Sequence, residues 1–122
     1  MAGIRQRGTL AELLVRAQVS RLRVRYTLKN RDLPGSPDLA NRTHRWAIFV
    51  HGCYWHRHRS CPRTTTPTRN RSFWLAKFEK NQARDARVSR DLRKSGYRVL
   101  VVWECEASRR TFLQRKLDRF FA

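Results

Sequence analysis

Apolar and polar positions along the chain predict seven elements in the order α-β-β-β-α-β-α. Apolar residues recur at helical spacing from Leu10 onward, and Thr9 is suited to cap this helix, with Glu12 in capping-box register. Two short strands are expected next, at RVRYTL (residues 23–28) and at DLA (residues 38–40). A turn that contains both proline and glycine separates them.

The longest apolar runs predict buried strands. WAIFV (residues 46–50) is continuously apolar, which is typical of a central strand, and YRVLVVWE (residues 97–104) is a second run of this kind. Residues 57–71 are rich in Arg, Thr and Pro and predict an irregular loop. A long helix follows from about Ser72 to Ser95, and Gly96 is suited to end it.

The C-terminal segment SRRTFLQRKLDRFFA predicts an amphipathic helix. The side chains expected to face inward are Phe112, Leu117, Phe120 and Phe121. A mixed α/β sheet flanked by helices, within a single domain of residues 1–122, is the simplest assembly of these elements.

The charge balance points to a polyanionic partner. The chain carries 28 Lys and Arg against 9 Asp and Glu, a net charge of +19. Such self-repulsion is offset when an anionic partner binds, and most of the cations are Arg, whose planar guanidinium suits phosphate oxygens. Nucleic acid is therefore the leading partner class. An anionic membrane surface is a weaker alternative, and a merely soluble basic surface is another.

The sequence favours a cytoplasmic location. The N-terminal MAGIRQRGTLAE has no apolar stretch of the kind an export signal needs, and the longest apolar runs are too short to span a bilayer. The 3 cysteines cannot all pair within the chain, so we expect thiols that bind metal or stay free.

A Cys/His set offers four possible metal ligands. They are Cys53, His58, Cys61 and Cys105. Thiolate and imidazole in tetrahedral number suit zinc. Cys53 lies just past the first buried strand and Cys105 closes the second, so both thiols emerge at one edge of the sheet if the strands are neighbours. Because C-x4-H-x2-C is not a standard finger spacing, three unrelated thiols remain the alternative.

A second set of residues suits phosphodiester hydrolysis. His51 and His56 flank GCYW and are not needed for a zinc site, while Asp38 begins a short strand. A carboxylate there can hold Mg²⁺ with a substrate phosphate, and a histidine with a pKa of about 6.5 can take a proton from water. Asp85 lies on the core-facing stripe of the long helix. It either pairs with an arginine at the margin of that stripe or orients a histidine.

Several segments together resemble the very-short-patch-repair (Vsr-type) DNA mismatch endonucleases. They are DLPGSPDLA, AIFVHGCYWHRH, the cysteine at position 61, FWLAKFEKNQARDAR and GYRVLVVWECE, and they span about Thr9 to Glu106. The resemblance implies a restriction-endonuclease-like α/β fold, a variant of the PD-(D/E)xK nucleases. The PD is present as Pro37-Asp38, whereas the usual second acidic element is replaced by FVH.

The same resemblance implies roles for the hydrolytic residues. Asp38 would bind the catalytic Mg²⁺, with the backbone carbonyl of Val50 as another ligand. His56 would be the general base that activates water, and Asp85 would orient it. His51 would contact the scissile phosphate or its water.

Further roles follow from the resemblance. Glu12 would support the site from the first helix. The structural zinc ligands would be Cys53, His58, Cys61 and Cys105. Tyr54, Trp55 and Trp74 would wedge into the base stack beside a mismatch. Tyr54 stands where Phe is common, so its hydroxyl must find water or phosphate.

The implied activity is nicking of double-stranded DNA 5′ to the T of a T·G mismatch, left when 5-methylcytosine deaminates. The enzyme would act as a monomer at the nucleoid of a bacterial cell. A related nuclease of homing, restriction or phage-defence specificity is one alternative, and a zinc-stabilised DNA-binding module without catalysis is another. We expect two departures from the family: little of the basic N-terminal arm that some relatives have, and arginines in HRHRSC that could add phosphate contacts.

Overall fold

The computed structural model describes residues 9–122, so the expectation about the N-terminal arm lies outside the described residues. The helices are α1 (Leu10–Arg21), α2 (Arg71–Lys94), α3 (Glu104–Ala107) and α4 (Arg110–Phe121), and the strands are β1 (Leu39–Asn41), β2 (Trp46–His51) and β3 (Arg98–Trp103). None of the helices in this part of the chain has the length and apolar character needed to cross a bilayer.

The three strands form a mixed sheet in the order β1-β2-β3. β1 pairs antiparallel with β2, with Leu39 opposite Ile48. β2 pairs parallel with β3, with His51 opposite Trp103. Parallel neighbours need a crossover connection, and α2 supplies it. The mixed α/β class and the central position of β2 are confirmed.

Helices cover both faces of the sheet. Side chains alternate along β2, so Trp46 and Ile48 pack in a core with α1 and α4, whereas Ala47 and Phe49 pack against α2. The same alternation carries His51 onto the α2 face, where its ring lies 5.9 Å from that of Phe49. The end of β2 therefore presents a histidine to the crossover helix.

Local signals explain where two of the helices begin and end. The Thr9 hydroxyl accepts a hydrogen bond from the backbone N–H of Glu12 at 3.2 Å, which caps α1 as the sequence predicts. Gly96, the residue after the Ser95 C-cap of α2, adopts φ +86°, a conformation that costs glycine little. The long helix thus ends where the sequence places its glycine.

The prediction of a strand at residues 23–28 is wrong. Of this segment only Thr27 pairs with a strand, through two backbone hydrogen bonds to Ala40 of 2.8 and 3.2 Å. Arg23 adopts φ +57°, and the Asn30 side chain donates to the Thr27 carbonyl at 2.9 Å. These local conformations and bonds compete with a regular strand ladder.

The inward orientation expected for Phe112 is also wrong, since 41% of its surface is exposed. Leu113 and Leu117 are buried instead, and Phe120 and Phe121 pack against them from the next turn. The buried stripe of α4 therefore starts one residue later, and a shift of one residue turns a helical side chain by about 100°.

Cys105 does not close a strand, contrary to the sequence prediction. β3 ends at Trp103, and Cys105 lies in the short helix α3. The backbone N–H of Trp103 donates to Oε1 of Glu106 at 2.9 Å, and the same oxygen lies 2.7 Å from Nζ of Lys116. This side-chain cap starts a helical turn at once after the strand.

The turn ahead of β1 sets the position of Asp38. The fully buried Asn30 side chain donates to the carbonyl of Pro37 at 3.0 Å. Gly35 adopts φ +72° and lies against Val88 of α2, so a Cβ atom added there would collide with Val88 Cγ1. Only glycine satisfies both demands at this point.

We expect Gly35→Ala to lower the free energy of unfolding by about 2 kcal/mol or more, because it combines a left-handed backbone with a steric clash. Gly52→Ala is the matched control, since its added Cβ would meet only Trp55 Cδ1 at 3.9 Å. That change is expected to stay within about 1 kcal/mol. Urea denaturation of both variants measures the difference, and equal midpoints would contradict the assignment.

Candidate active site and metal centre

The parallel pairing of β2 and β3 brings their carboxyl ends to one edge of the sheet. His51 lies opposite Trp103, and the chain then continues to Cys53 on one side and Cys105 on the other. The backbone N–H of Cys105 lies 3.4 Å from Sγ of Cys53. The expectation that both thiols emerge together holds, although Cys105 is helical.

The chain curls back on itself after β2. The backbone N–H of His56 donates to the Gly52 carbonyl at 3.1 Å, and that of His58 donates to the Cys53 carbonyl at 2.9 Å. This turn returns the His56 ring above the His51 ring, with centroids 3.9 Å apart and planes within 9° of parallel.

His51 is held in its neutral form. Only 8% of its surface is exposed, and the Trp103 ring lies edge-on at 5.3 Å. Burial, reinforced by the neighbouring His56, lowers the pKa of His51 to about 4. At neutral pH the His51 ring therefore carries one N–H donor and one acceptor nitrogen and no charge.

His56 is oriented by Asp85 of α2. Its Nδ1 lies 2.6 Å from Oδ2 of Asp85, and each side chain keeps roughly a quarter to a third of its surface exposed, 30% and 27%. A carboxylate at Nδ1 favours the tautomer with its proton there, which leaves Nε2 to accept one. Of the two interpretations of Asp85, pairing with a histidine is the one that the geometry supports.

Ring orientation argues against a metal ion shared by His51, His56 and Asp85. Their ligand atoms lie within 4.8 Å of one another, close enough by distance alone. However, an imidazole binds a metal in its own ring plane, about 2.0 Å from the nitrogen. Two stacked rings whose planes differ by 9° do not converge on such a point. The arrangement suits hydrogen bonding and proton transfer instead.

Asp38 lies beside the last residues of β2. Its Oδ2 accepts the backbone N–H of Val50 at 2.6 Å, and its own N–H donates to the Ile48 carbonyl at 3.0 Å. In an extended strand the N–H and C=O of one residue point to the same edge, so the Val50 carbonyl faces the side where Asp38 lies. A carboxylate and a carbonyl placed together suit a hard cation.

Two predicted residues stand apart from the His and Cys clusters. Glu12 is buried in the first turn of α1, with 6% of its surface exposed. Within residues 9–122, neither Glu12 nor Asp38 belongs to either cluster of potential metal ligands.

The four Cys and His residues singled out from the sequence come together in one cluster. Their ligand atoms lie within 4.8 Å of one another, and Sγ of Cys105 is 3.4 Å from Nδ1 of His58. Zinc–sulfur bonds of about 2.3 Å place tetrahedral ligands roughly 3.8 Å apart, so the spacing fits a four-coordinate ion. The alternative of three unrelated thiols is therefore wrong.

Neighbouring groups hold the cluster in place. The His58 ring stacks on Trp103 with centroids 4.4 Å apart. The Thr64 hydroxyl lies 2.7 Å from the His58 carbonyl and 3.2 Å from that of Cys53. Burial raises the pKa of the Cys53 thiol to about 12, whereas the backbone N–H of Arg63 lowers that of Cys61. A divalent cation reverses the cost of ionising Cys53, because it favours the thiolate.

The aromatic residues predicted to form the wedge surround one buried ring, Phe78 of α2. Its centroid lies 5.4 Å from Tyr54, 6.3 Å from Trp55 and 6.1 Å from Trp74. Phe73, which the sequence interpretation passed over, lies 5.2 Å from Trp74 and is 61% exposed. The FW pair near the start of the long helix could have indicated an exposed ring at Phe73, because two adjacent helical residues cannot both face the core.

Comparison with known proteins identifies the family. The model of the DNA mismatch endonuclease Vsr family matches residues 1–63, more than half of the chain. The chain belongs to the Vsr family. The sequence resemblance is thereby confirmed, and the match covers β1, β2 and the turn up to Cys61.

Relatives extend the similarity through α2 and β3. The type II nicking enzyme V.XorIIP of Xanthomonas oryzae is 38% identical over 96% of this chain and 85% of the relative. The type II nicking enzyme V.NmeAIP of Neisseria meningitidis is 35% identical over 98% and 84%. The DNA mismatch endonuclease Vsr of Escherichia coli is 37% identical over 86% and 67%.

We expect Cys105→Ser to lower the bound metal of this Vsr-family protein well below one ion per chain, and to lower its Tm by several degrees, because a structural ion contributes folding free energy. Metal analysis and thermal unfolding measure both effects. Ser108→Ala, in the same turn but outside the cluster, is the control and should keep its metal. Full retention of metal by Cys105→Ser would exclude this thiol as a ligand.

Proposed function

We propose that this protein is a Mg²⁺-dependent endonuclease that nicks double-stranded DNA 5′ to the T of a T·G mismatch arising from deamination of 5-methylcytosine. The observation that carries the proposal is the contact chain from Asp85 to His56 to His51 in a Vsr-family protein, together with the bond from the N–H of Val50, the residue before His51, to Asp38. DNA binding alone requires none of these polar contacts, whereas hydrolysis requires a base and a cation site.

Asp38 and the Val50 carbonyl would hold the Mg²⁺. When bound, that ion withdraws charge from the scissile phosphate and polarises water. The Asp38 position fits this role because its carboxylate is fixed by the backbone of Val50 at 2.6 Å. His51, neutral and nearly buried, would donate its N–H to a phosphate oxygen or position the water without adding charge.

His56 would act as general base. Nε2 takes a proton from the attacking water while Nδ1 stays hydrogen-bonded to Asp85, which stabilises the imidazolium that forms. The water oxygen bonds to phosphorus, the bond from phosphorus to the 3′ oxygen breaks, and the leaving 3′ oxygen takes a proton from solvent water. The products are a 5′ phosphate and a 3′ hydroxyl.

Tyr54, Trp55 and Trp74 would insert beside the mismatch. Opening a base step costs a few kcal/mol, and less at a mismatch, so insertion itself discriminates between substrates. The three rings are already assembled around Phe78, which reduces the ordering cost on binding.

The Cys53, His58, Cys61 and Cys105 cluster would hold a structural zinc that ties the turn after β2 to α3. A restriction-endonuclease-like core is supported by the mixed sheet, with Asp38 directly before β1 and His51 at the end of β2. Nicking one strand needs only a monomer, and Glu12 would support the site from α1.

A nuclease of different specificity is the second candidate. Relatives named as type II nicking enzymes are among the most similar proteins, and they match this chain over 96% and 98% of its length. Mismatch choice then depends on residues that contact bases, rather than on the shared hydrolytic groups.

End-labelled duplexes of one sequence, carrying T·G, A·C or a matched pair, separate these candidates. We expect Mg²⁺-dependent nicking of the T strand of the T·G duplex, loss of nicking with chelator, and little cutting of the other two. Asp38→Ala should abolish cutting while DNA affinity is largely kept. Equal cutting of all three duplexes would favour the second candidate, and no cutting by either form would indicate a binding module.

His56→Ala should reduce the single-turnover nicking rate by about 100-fold or more, because a positioned general base contributes that much. Asp85→Asn keeps the shape of the side chain but not the charge, and should also slow the reaction strongly. His44→Ala, at an exposed histidine in the turn between β1 and β2, is the control and should react at the normal rate. An unchanged rate for His56→Ala would refute the base assignment.

A further inference from the structure

We propose that Arg57 is a positioning residue for the aromatic wedge formed by Tyr54, Trp55 and Trp74, rather than a contact to DNA phosphate. This inference rests on the proposed function and adds a specificity element to it. The charge and position of Arg57 in HRHRSC suggest a phosphate ligand. Its contacts in the folded protein point elsewhere.

The Arg57 guanidinium is engaged by the protein itself. Nη1 donates to the carbonyls of Tyr54 at 3.3 Å and Thr65 at 2.8 Å, and Nη2 donates to Oγ1 of Thr66 at 2.9 Å. These bonds join the turn that carries Tyr54 and Trp55 to the middle of the irregular loop. Only a forked, planar donor reaches all three acceptors at once.

The same guanidinium covers the ring on which the wedge is assembled. Its central carbon lies 4.0 Å from the centroid of Phe78 and 5.5 Å from that of Tyr54. Phe78 is 2% exposed and contacts Tyr54, Trp55 and Trp74. A cation over an aromatic face is attractive, so Arg57 holds the turn against α2 through the ring as well as through the backbone.

Other contacts also keep the turn on α2. The Asn81 side chain donates to the Trp55 carbonyl at 3.4 Å, and His56 is bonded to Asp85 at 2.6 Å. Loss of the Arg57 contacts would leave these bonds and the ring contacts with Phe78 in place, but would remove the link from the turn to Thr65 and Thr66 and the cation over Phe78. The wedge would keep its rings but lose its fixed orientation.

Arg59 provides the contrast. It is exposed, and no hydrogen bond or ion pair joins its side chain to another residue in the range 9–122. Two residues after Arg57, on the same loop, it has the freedom to contact a phosphate. The two arginines of HRHRSC therefore have different roles.

The test compares Arg57→Lys and Arg57→Gln with Arg59→Gln, each as the full chain with bound metal. Because Arg57 adopts φ +58°, both of its variants bear the same backbone cost as the native residue, and differences report the side chain. Four quantities are measured, and the first three are near-UV circular dichroism of the DNA-free protein, the salt dependence of DNA affinity, and the ratio of nicking rates on T·G and matched duplexes. Fluorescence of 2-aminopurine beside the mismatch reports base unstacking.

Both Arg57 variants should lose near-UV signal and give less 2-aminopurine fluorescence. The ratio of nicking rates on T·G and matched duplexes should fall by about tenfold. The slope of log affinity against log salt concentration should stay unchanged. Arg59→Gln should reduce the salt slope by about 0.9 and leave the ratio intact, as loss of one phosphate contact predicts. Arg57→Lys should not restore the near-UV signal or the preference for T·G, since lysine keeps the positive charge but not the planar, forked set of N–H donors.

A reduced salt slope with an unchanged ratio in Arg57→Gln would overturn the proposal, as would an unaltered near-UV spectrum or loss of bound metal, which would make Arg57 a support of the metal cluster. The near-UV measurement needs no substrate. If the native protein fails to prefer T·G, the proposed function fails, yet the spectrum still decides whether Arg57 holds the rings.

Discussion

The parallel pairing of β2 with β3 is the constraint on which both clusters depend. Because the strands run in the same direction, they end at one edge, with His51 beside Trp103. The crossover helix that this pairing requires returns past the same edge and delivers Asp85 to His56. An antiparallel pair would have placed Cys105 at the opposite end of the sheet from Cys53. Strand direction thus assembles chemistry from residues about fifty positions apart in the chain.

Burial has a matching effect on the two clusters. It lowers the pKa of His51 and raises that of Cys53, so both groups avoid charge in the protein interior. In a chain of net charge +19, a neutral His51 adds no further positive charge to the site. His56 lies at the boundary with solvent, beside the carboxylate of Asp85. The depth of each side chain behind the sheet edge therefore separates a buried, neutral imidazole from one that keeps contact with solvent.

Much of the site could be predicted from the sequence because many of its residues follow the ends of apolar strands. The spacing of Asp85 from its apolar neighbours likewise predicted a carboxylate on the core-facing side of the long helix. The fold was less accessible where side chains bond to nearby backbone, as Asn30 does beside the strand expected at residues 23–28. Arg57 could not be assigned either, because composition gives an arginine its charge but not its partners. Its place over Phe78 depends on contacts between segments that are distant in the chain, and no sequence pattern indicates those contacts.

The turn from Gly52 to His58 carries His56, two members of the Cys/His cluster and two rings of the aromatic cluster on one hydrogen-bonded curl of the chain. Its length is consequently fixed: inserting or deleting a single residue would displace all of these groups together. Evolution of new target preferences in such a scaffold is confined to exchanging side chains within the curl, or to remodelling the loop after Thr66, beyond the residues that bond to the curl.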